Sequence, residues 1–404
     1  MRNTDSDHSS QKRAGRVTLA LAPLLIVAAL TGASSPRSAL TLAAMPQPPA
    51  NGEMGFVVTD FTWAAPYQGK DDCPEGLAGT VKENYLQSIP ATERARLLLK
   101  PNEPELTRLW KATVVGPNNT NICSNPELFD RPVQKTIQGK IAPGLNLDGS
   151  TGSQASADGC AHENFTGVDG TPGVDNQMYR AMGCTRNYRG VDGKGGDAID
   201  GFNALLKTGE HSVIMLLRRV DSLTNDPDVE VILGSTDDRP ILDSKRHFIT
   251  GASFSFSDRN PAWRNVLHGR IVNGVLMTDP ADIRLKRPWG QGGIRGARNE
   301  WDLRLGRLRL AFQPDGSVEG MFGGYQPIAN VISSTILGGL GAGETAGIDC
   351  AAQYATLKKL ADGLRDPKTG QCTANSIALD MSAVPAFVID REPTATAASP
   401  KGTR

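Results

Sequence analysis

Oxygen-donor side chains are concentrated around the segment bounded by Cys160 and Cys184. The strongest candidates for metal ligands there are Asp158, Asp169, Asp175 and Asn176. Three glycines and a proline between positions 167 and 173 disfavour a helix or a central strand, so this is a loop whose backbone carbonyls are able to turn inward. Ca²⁺ prefers carboxylate, amide and carbonyl oxygens. The sequence therefore predicts a Ca²⁺ site made from these four residues.

The same residues fit an alternative that needs no ion. Asp-Gly and Asp-Asn pairs commonly form Asx turns, in which the side chain accepts a hydrogen bond from its own backbone. An EF-hand is excluded because, counted from Asp169, Val174 stands where glycine is required and the twelfth position is not glutamate. Calcium binding and a loop held by Asx turns both remain open at this point.

His162 and Glu163 form a His-acid pair in this Asp-rich stretch. A transition-metal or catalytic role is one interpretation, and a polar pair on a loop is the other. The sequence contains no His-Glu-x-x-His and no Gly-x-Ser-x-Gly, so the signatures of zinc proteases and serine hydrolases are missing. The glycine-rich segment 338–345 has Glu344 where a phosphate-binding loop has lysine, so no nucleotide cofactor is predicted.

Paired carboxylates and tryptophans leave room for a function directed at glycans. Two acids of a glycoside hydrolase need to be close in space but not in sequence, so the many Asp and Glu residues permit such a pair. Trp263, Trp289 and Trp301 lie in or beside the predicted strands, where flat rings stack on sugars or cover a core. A glycan is therefore a candidate partner.

The six cysteines predict disulfides, because an even number in an exported chain favours bridges over free thiols. No Cys-x-x-Cys is present, which disfavours a zinc ribbon and a thioredoxin-like site. Fifteen pairings of six cysteines are formally possible. From the shortest loops we predict the pairs Cys73 with Cys123, Cys160 with Cys184, and Cys350 with Cys372.

The first 44 residues have the plan of a secretory signal peptide. Lys12, Arg13 and Arg16 precede an uncharged segment from Val17, and small residues beyond it offer cleavage sites. An uncleaved anchor is the alternative. We therefore predict a periplasmic or extracellular protein with no membrane span after cleavage. Lys plus Arg and Asp plus Glu both count 43, so no basic field indicates nucleic-acid binding.

Hydrophobic periodicity and turn residues predict the order of elements. Helical spacing over 77–89, 91–100 and 103–113 follows a first strand at 56–63. Alternating patterns predict strands at 212–220, 229–233, 248–256, 267–278 and 301–325. Asn273-Gly274 and Asp315-Gly316 predict hairpins, and a change of parity at Gly306 predicts a bulge or a tight turn.

These elements predict an α+β fold, a disulfide-stapled antiparallel β-sandwich of jelly-roll type with small helical units at both ends. The predicted segments are a signal peptide with its cleavage region (1–44), a linker (45–54), a small helical unit (55–145), an Asp/Gly-rich stapled loop region (146–200), the β-sandwich (201–327), a C-terminal helical unit (328–390) and a disordered tail (391–404).

Two motifs resemble segments of uncharacterised secreted bacterial proteins with β-rich bodies. These are the Asp/Gly loop running from Asp158-Gly-Cys160 through 169–176 to Cys184, and the segment 225–231. The resemblance covers residues 146–325 and implies export and a β-rich architecture, with no activity attached.

The predicted function is that of an exported binding or structural protein, stabilised by calcium, whose sandwich presents a surface for a carbohydrate or another exported protein. The alternative is a secreted hydrolase that acts on glycans through paired carboxylates. A concave cleft with two converging acids would favour the enzyme, and a flat aromatic face would favour the binding protein.

Overall fold

Eight antiparallel strands close into a barrel in the computed structural model, which describes residues 47–65, 72–152, 160, 162–190, 197–287, 300–336 and 348–391. The strands are β1 Met54–Trp63, β2 Phe165–Thr166, β3 Pro172–Val174, β4 Ser212–Arg218, β5 Asn225–Thr236, β6 Ser253–Ser255, β7 Arg264–Val272, β8 Val275–Thr278, β9 Ala281–Lys286, β10 Glu300–Phe312, β11 Val318–Pro327, β12 Gly363–Arg365 and β13 Cys372–Ile389. Around the barrel the order is β1, β4, β5, β7, β8, β10, β11 and β13.

Pairing between the first and last long strands closes the sheet. β1 pairs with β4 along one edge and with β13 along the other, where Phe56 lies opposite Pro385 and Trp63 opposite Leu379. The predicted jelly-roll-like sandwich is therefore wrong, because a sandwich has two separate sheets. The strand that completes the barrel, β13, lies in the predicted C-terminal helical unit (328–390).

Alternate side chains of the barrel strands form one buried apolar core. The strands are extended, so residues two apart point to the same face. The inward set includes Phe56, Val213, Met215, Leu217, Val229, Val231, Leu267, Ile271, Leu276, Leu308, Leu310, Val318, Phe322, Ile377, Leu379 and Met381. The interior is packed with side chains, and the outer face of the wall is left for polar residues and for the segments that cover it.

The local turn predictions are confirmed. Asn273 and Gly274 both have positive φ, 51° and 78°, as a two-residue hairpin of the type I′ class requires, and they join β7 to β8. The turn that contains Asp315 and Gly316 joins β10 to β11. The register of that pair shifts between Arg304 and Arg307, next to the predicted irregularity at Gly306.

The helices in the described part of the chain pack against barrel strands and against one another. They are α1 Val81–Ser88, α2 Ala91–Leu97, α3 Glu103–Ala112, α4 Gln177–Met182, α5 Arg186–Arg189, α6 Asp197–Thr208 and α7 Cys350–Lys359, with a short helical turn Ile328–Asn330 that continues as a π-helical turn Val331–Ile336. The three helices predicted near the N-terminus are confirmed as α1 to α3. Thr80 and Glu83 form a capping box at the start of α1.

Residues 141–152 and 162–184, which we call the strap, run over the outer face of the barrel. Leu147 packs with Tyr325 of β11 and Ala374 of β13. The backbone amide of Gln177 at the start of α4 donates to the hydroxyl of Ser376 on β13, 2.8 Å away. The strap is therefore fixed to the outer wall at β11 and β13.

Three disulfides are present, as predicted, but each predicted pairing is wrong. The bridges are Cys73–Cys184, Cys123–Cys350 and Cys160–Cys372. They join residues 111, 227 and 212 positions apart. The preference for short loops fails here because barrel closure and the strap bring segments that are distant in sequence together. Once folding has placed two cysteines side by side, the bridge no longer has to overcome the entropy of closing a long loop.

No helix in the described part of the chain is long and apolar enough to cross a membrane. Three disulfides fit an exported protein, because such bridges persist in oxidising compartments. The predicted signal peptide and almost all of the predicted C-terminal tail lie outside the described residues.

Candidate metal centre

A buried polar cluster lies between the strap and the outer wall of the barrel. Asp148, His162 and Asp175 each direct one potential ligand atom into it, and these atoms lie within 4.8 Å of one another. All three belong to the strap, and Asp362, which precedes β12, adds a carboxylate from the other side. Two parts of the chain separated by nearly two hundred residues therefore build one site.

His162 is held at both ring nitrogens. Nδ1 lies 3.1 Å from the carbonyl oxygen of Cys160 and Nε2 lies 2.8 Å from Oδ1 of Asp175. Burial alone would lower the pKa of His162, but the hydrogen bond to Asp175 and the charge of Asp362 outweigh it and raise the pKa to about 9. Without a metal ion, the imidazole is therefore protonated and both nitrogens donate.

Asp175 is fully buried and is fixed by the backbone of the strap. Its Oδ2 accepts from the amide of Leu147 at 2.7 Å and more weakly from that of Asp148 at 3.4 Å. Its Oδ1 faces His162. The carboxylate therefore has one oxygen committed to the backbone and one directed into the cluster.

Two further carboxylate oxygens in the cluster have no hydrogen-bond partner in the described structure. Oδ1 of Asp362 accepts from the amide of Ser376 at 2.7 Å, whereas its buried Oδ2 accepts no hydrogen bond and lies 3.8 Å from Nε2 of His162. Oδ1 of Asp148 accepts from the amide of Ser150, and its Oδ2 is likewise buried and unpartnered. Buried unsatisfied oxygens are rare, because desolvating them is costly.

The electrostatics of the cluster favour a cation. Burial raises the pKa of Asp362 to about 7, although His162 opposes this rise. The pKa of the Tyr325 phenol is raised by burial and by the charges of Asp175, Asp362 and Asp148, while Arg307 lowers it. Three carboxyl groups surround one imidazole, so negative charge is in excess unless protons or a metal ion compensate it.

The donor set indicates which metal ions fit. Ca²⁺ and Mg²⁺ are bound through oxygen ligands, whereas an imidazole together with carboxylates suits Zn²⁺, Mn²⁺ and Fe²⁺. The hydrogen bond of Nδ1 to a backbone carbonyl is the arrangement that leaves Nε2 as a ligand once its proton is lost. The residues of this cluster therefore fit a divalent transition-metal ion.

The predicted calcium ligands are placed differently. Asp158 lies outside the described residues. Asp169 is exposed in a turn, where its carboxylate accepts from the amide of Thr171 at 3.0 Å as in an Asx turn. Asn176 caps α4 by accepting from Tyr179, and its amide group donates to two backbone carbonyls. Of the three that the structure describes, only Asp175 joins the cluster.

Two of the cluster residues were missed from the sequence. Asp148 lies in a run of Asn, Asp, Gly and Ser residues that is typical of turns, and nothing in its spacing distinguishes it from its neighbours. Asp362 has no sequence signal that links it to the strap. Glu163, the acidic partner of His162 in the sequence, is instead exposed and forms an ion pair with Lys140.

A second polar region surrounds a cavity of about 390 Å³ at the ends of β5 and β6. Asp237, Asp238, Ser257, Phe256 and Arg264 are among its lining residues. Of the tryptophans predicted to stack on sugars, Trp301 is fully buried in the core and Trp289 lies outside the described residues. Trp263 is half-buried, and its chain neighbour Arg264 lines this cavity.

Comparison with known protein families, curated proteins and solved structures finds no match for this chain.

Proposed function

We propose that this chain is an exported protein that binds one divalent transition-metal ion through Asp148, His162, Asp175 and Asp362. One observation carries the proposal. One buried oxygen of Asp148 and one of Asp362 have no hydrogen-bond partner among the described residues, and they lie around an imidazole nitrogen and a third carboxylate. A metal ion would satisfy these oxygens and balance their charge.

The ion would join the strap to the barrel. Asp148, His162 and Asp175 lie on the strap, and Asp362 is anchored to β13 through the amide of Ser376. Because unfolding separates these ligands, the ion binds the native state and stabilises it. At a hundred times the dissociation constant, this effect is about 2.7 kcal/mol, provided that the unfolded chain does not bind.

The sequence predicts Ca²⁺ and the cluster favours a transition-metal ion, and one experiment distinguishes the two. Purified protein is heated with a chelator, with Mn²⁺, with Zn²⁺ and with Ca²⁺. The proposal expects Mn²⁺ or Zn²⁺ to raise the melting temperature by several degrees, with a smaller effect from Ca²⁺. Asp362→Asn should abolish the shift, and the exposed Asp169→Asn should keep it. A shift in both variants, or in neither, places the ion elsewhere.

A periplasmic or extracellular location is part of the proposal. It is supported by the three disulfides and by the signal-like pattern of residues 1–44. Expression with a reporter fused at the C-terminus and cell fractionation would test it, and recovery of the protein in the cytoplasm with reduced cysteines would oppose it.

Carbohydrate binding is the second candidate, supported by the cavity near Trp263. Asp238 offers a carboxylate that accepts from Ser255 at one oxygen, and Phe256 offers an aromatic face. A glycan array screened with wild type and Asp238→Ala would test it, and identical binding profiles would count against this cavity as a sugar site.

The hydrolase alternative stays a prediction. A pair of acids that the fold places on neighbouring strands is Asp60 on β1 and Asp380 on β13. Burial and the charge of Asp60 raise the pKa of Asp380 to about 6, and Asp60 accepts from Asn203. A panel of chromogenic glycosides with wild type and Asp380→Asn tests this pair directly.

A further inference from the structure

The Cys160–Cys372 disulfide lies directly beside the proposed metal ligands. The carbonyl oxygen of Cys160 accepts the hydrogen bond from Nδ1 of His162, and the two atoms are 3.1 Å apart. A metal-bound histidine usually donates its other ring nitrogen to such a group, which fixes both the ring orientation and the tautomer. Cys160 therefore positions His162 through its backbone.

The other half of the bridge belongs to the hairpin that carries Asp362. Cys372 begins β13 and lies opposite Arg365 of β12. In the same hairpin the amide of Asp362 donates to Ala374, and the amide of Ser376 donates to the Asp362 carboxylate. The disulfide thus joins the segment that carries His162 to the segment that carries Asp362, whose side chains are 3.8 Å apart.

We propose that this disulfide holds the metal centre together, so that opening it lowers the affinity for the metal ion and releases it. This inference rests on the proposed function. A dithiol would carry out the opening: its thiolate attacks one sulfur, the second thiol completes the exchange, and the dithiol becomes a cyclic disulfide. Two electrons and two protons pass to the sulfurs of Cys160 and Cys372, which become thiols.

One end of the bridge borders a cavity, although Cys160 at the other end is buried. Cys372 is half-buried and lines a cavity of about 670 Å³ together with Tyr354, Lys358 and Thr373. Both cysteines of the Cys123–Cys350 bridge are fully buried. The two bridges span similar lengths of chain, 212 and 227 residues, so Cys123–Cys350 serves as a matched control.

The first experiment measures Mn²⁺ binding by electron paramagnetic resonance in wild type and two double variants, Cys160→Ser with Cys372→Ser and Cys123→Ser with Cys350→Ser. Mn²⁺ is the probe in this experiment and in the reduction experiment below, where freed thiolates would bind Zn²⁺ and add a site. The Cys160/Cys372 variant should bind 10- to 100-fold more weakly, the usual effect of losing a group that orients a ligand. The control should change by less than about threefold.

A second experiment uses the wild-type protein and does not depend on how a variant folds. Mn²⁺-loaded protein is treated with a phosphine, because dithiols chelate metals. The phosphine attacks one sulfur and water hydrolyses the adduct, so that the phosphine takes its oxygen from water to become the oxide while the disulfide becomes two thiols. Alkylation and mass spectrometry report which bridge has opened. Released Mn²⁺ should follow the opening of Cys160–Cys372 with the other two bridges intact.

The outcomes separate the two proposals. Wild type that binds no Mn²⁺, and no Zn²⁺ in the heating scans, refutes the metal centre itself. Wild type that binds Mn²⁺ and keeps it after Cys160–Cys372 has opened refutes only the coupling, as does an equal loss of affinity in the two double variants.

Discussion

Asp362→Asn should have opposite effects on stability with and without the metal ion. In the metal-free protein the pKa of Asp362 is raised from an ordinary value of 3.8 to about 7, chiefly by burial. For an acid with a raised pKa, the folded state favours the protonated form. Its stabilising contribution is therefore complete below pH 3.8 and is lost as the pH rises through 7. Asparagine cannot lose a proton, so the variant avoids this loss.

The magnitude follows from the difference between the two pKa values. Each pKa unit corresponds to about 1.36 kcal/mol, and about 2 of the roughly 3 units of difference fall between pH 5 and pH 7. The stability of wild type relative to Asp362→Asn should therefore fall by roughly 2 to 3 kcal/mol between pH 5 and pH 8. Because the comparison is between two pH values, the constant effect of replacing an oxygen with an amide group cancels.

The assay is urea unfolding of both proteins in a chelator at pH 5 and at pH 8, followed by the same measurement at pH 8 with saturating Mn²⁺. The metal should reverse the order at pH 8, because wild type gains the binding free energy and the variant does not. Asp366→Asn, which changes a half-buried turn residue outside the cluster, should show neither effect. A difference between the proteins that is the same at both pH values would refute the reasoning about the buried carboxyl, and an Mn²⁺ effect of equal size in both would refute its role as a ligand.

Three further predictions concern the fold. Burial lowers the pKa of His211 to about 3, so the stability it contributes is present above pH 6.5 and is lost as the pH falls toward 3. The free energy of unfolding should therefore decrease by roughly 2 to 3 kcal/mol from pH 6.5 to pH 4.5, and His211→Phe should lack this decrease. Thr80→Ala removes the cap of α1 and should lower the free energy of unfolding by about 1 kcal/mol in urea titrations, whereas Thr80→Ser should have little effect. Non-reducing peptide mapping should recover Cys73 with Cys184, Cys123 with Cys350, and Cys160 with Cys372. Recovery of the pairs predicted from the sequence would contradict the placement of the strap on the barrel.

Sequence reasoning succeeded where the determining interactions are local. Asn273-Gly274 specifies its turn because both residues adopt positive φ readily, and the helices α1 to α3 follow from spacing and the prolines that bound them. It failed for barrel closure, because the pairing of β1 with β13 depends on surfaces that only the assembled sheet presents. Whether strands form a sandwich or a barrel is not encoded in the alternation of any single strand.

The residues of the candidate site likewise fall into those that the sequence indicated and those that only the fold brings together. The concentration of donors near Asp175 and His162 was visible because those residues are neighbours along the strap. Asp362 was not, since the hairpin of β12 and β13 brings it to the strap from almost two hundred residues away. Asp169 was a convincing ligand by composition, yet its Asx turn satisfies its carboxylate at the surface. Composition predicted a region, and tertiary structure selected the residues.

The order in which the barrel strands are synthesised bears on how this chain reaches its folded state. Of the eight barrel strands, β1 is made first and its partner β13 is made last. The hydroxyl of Thr59 donates to the carbonyl of Ser382, 323 residues further along the chain. Pairings of such long sequence separation form slowly, because the entropy of closing the loop must be overcome first. A nascent chain that lacks residues 372–389 has two unpaired sheet edges and an incomplete core. The barrel therefore cannot close until residues 372–389 are available to pair with both β1 and β11.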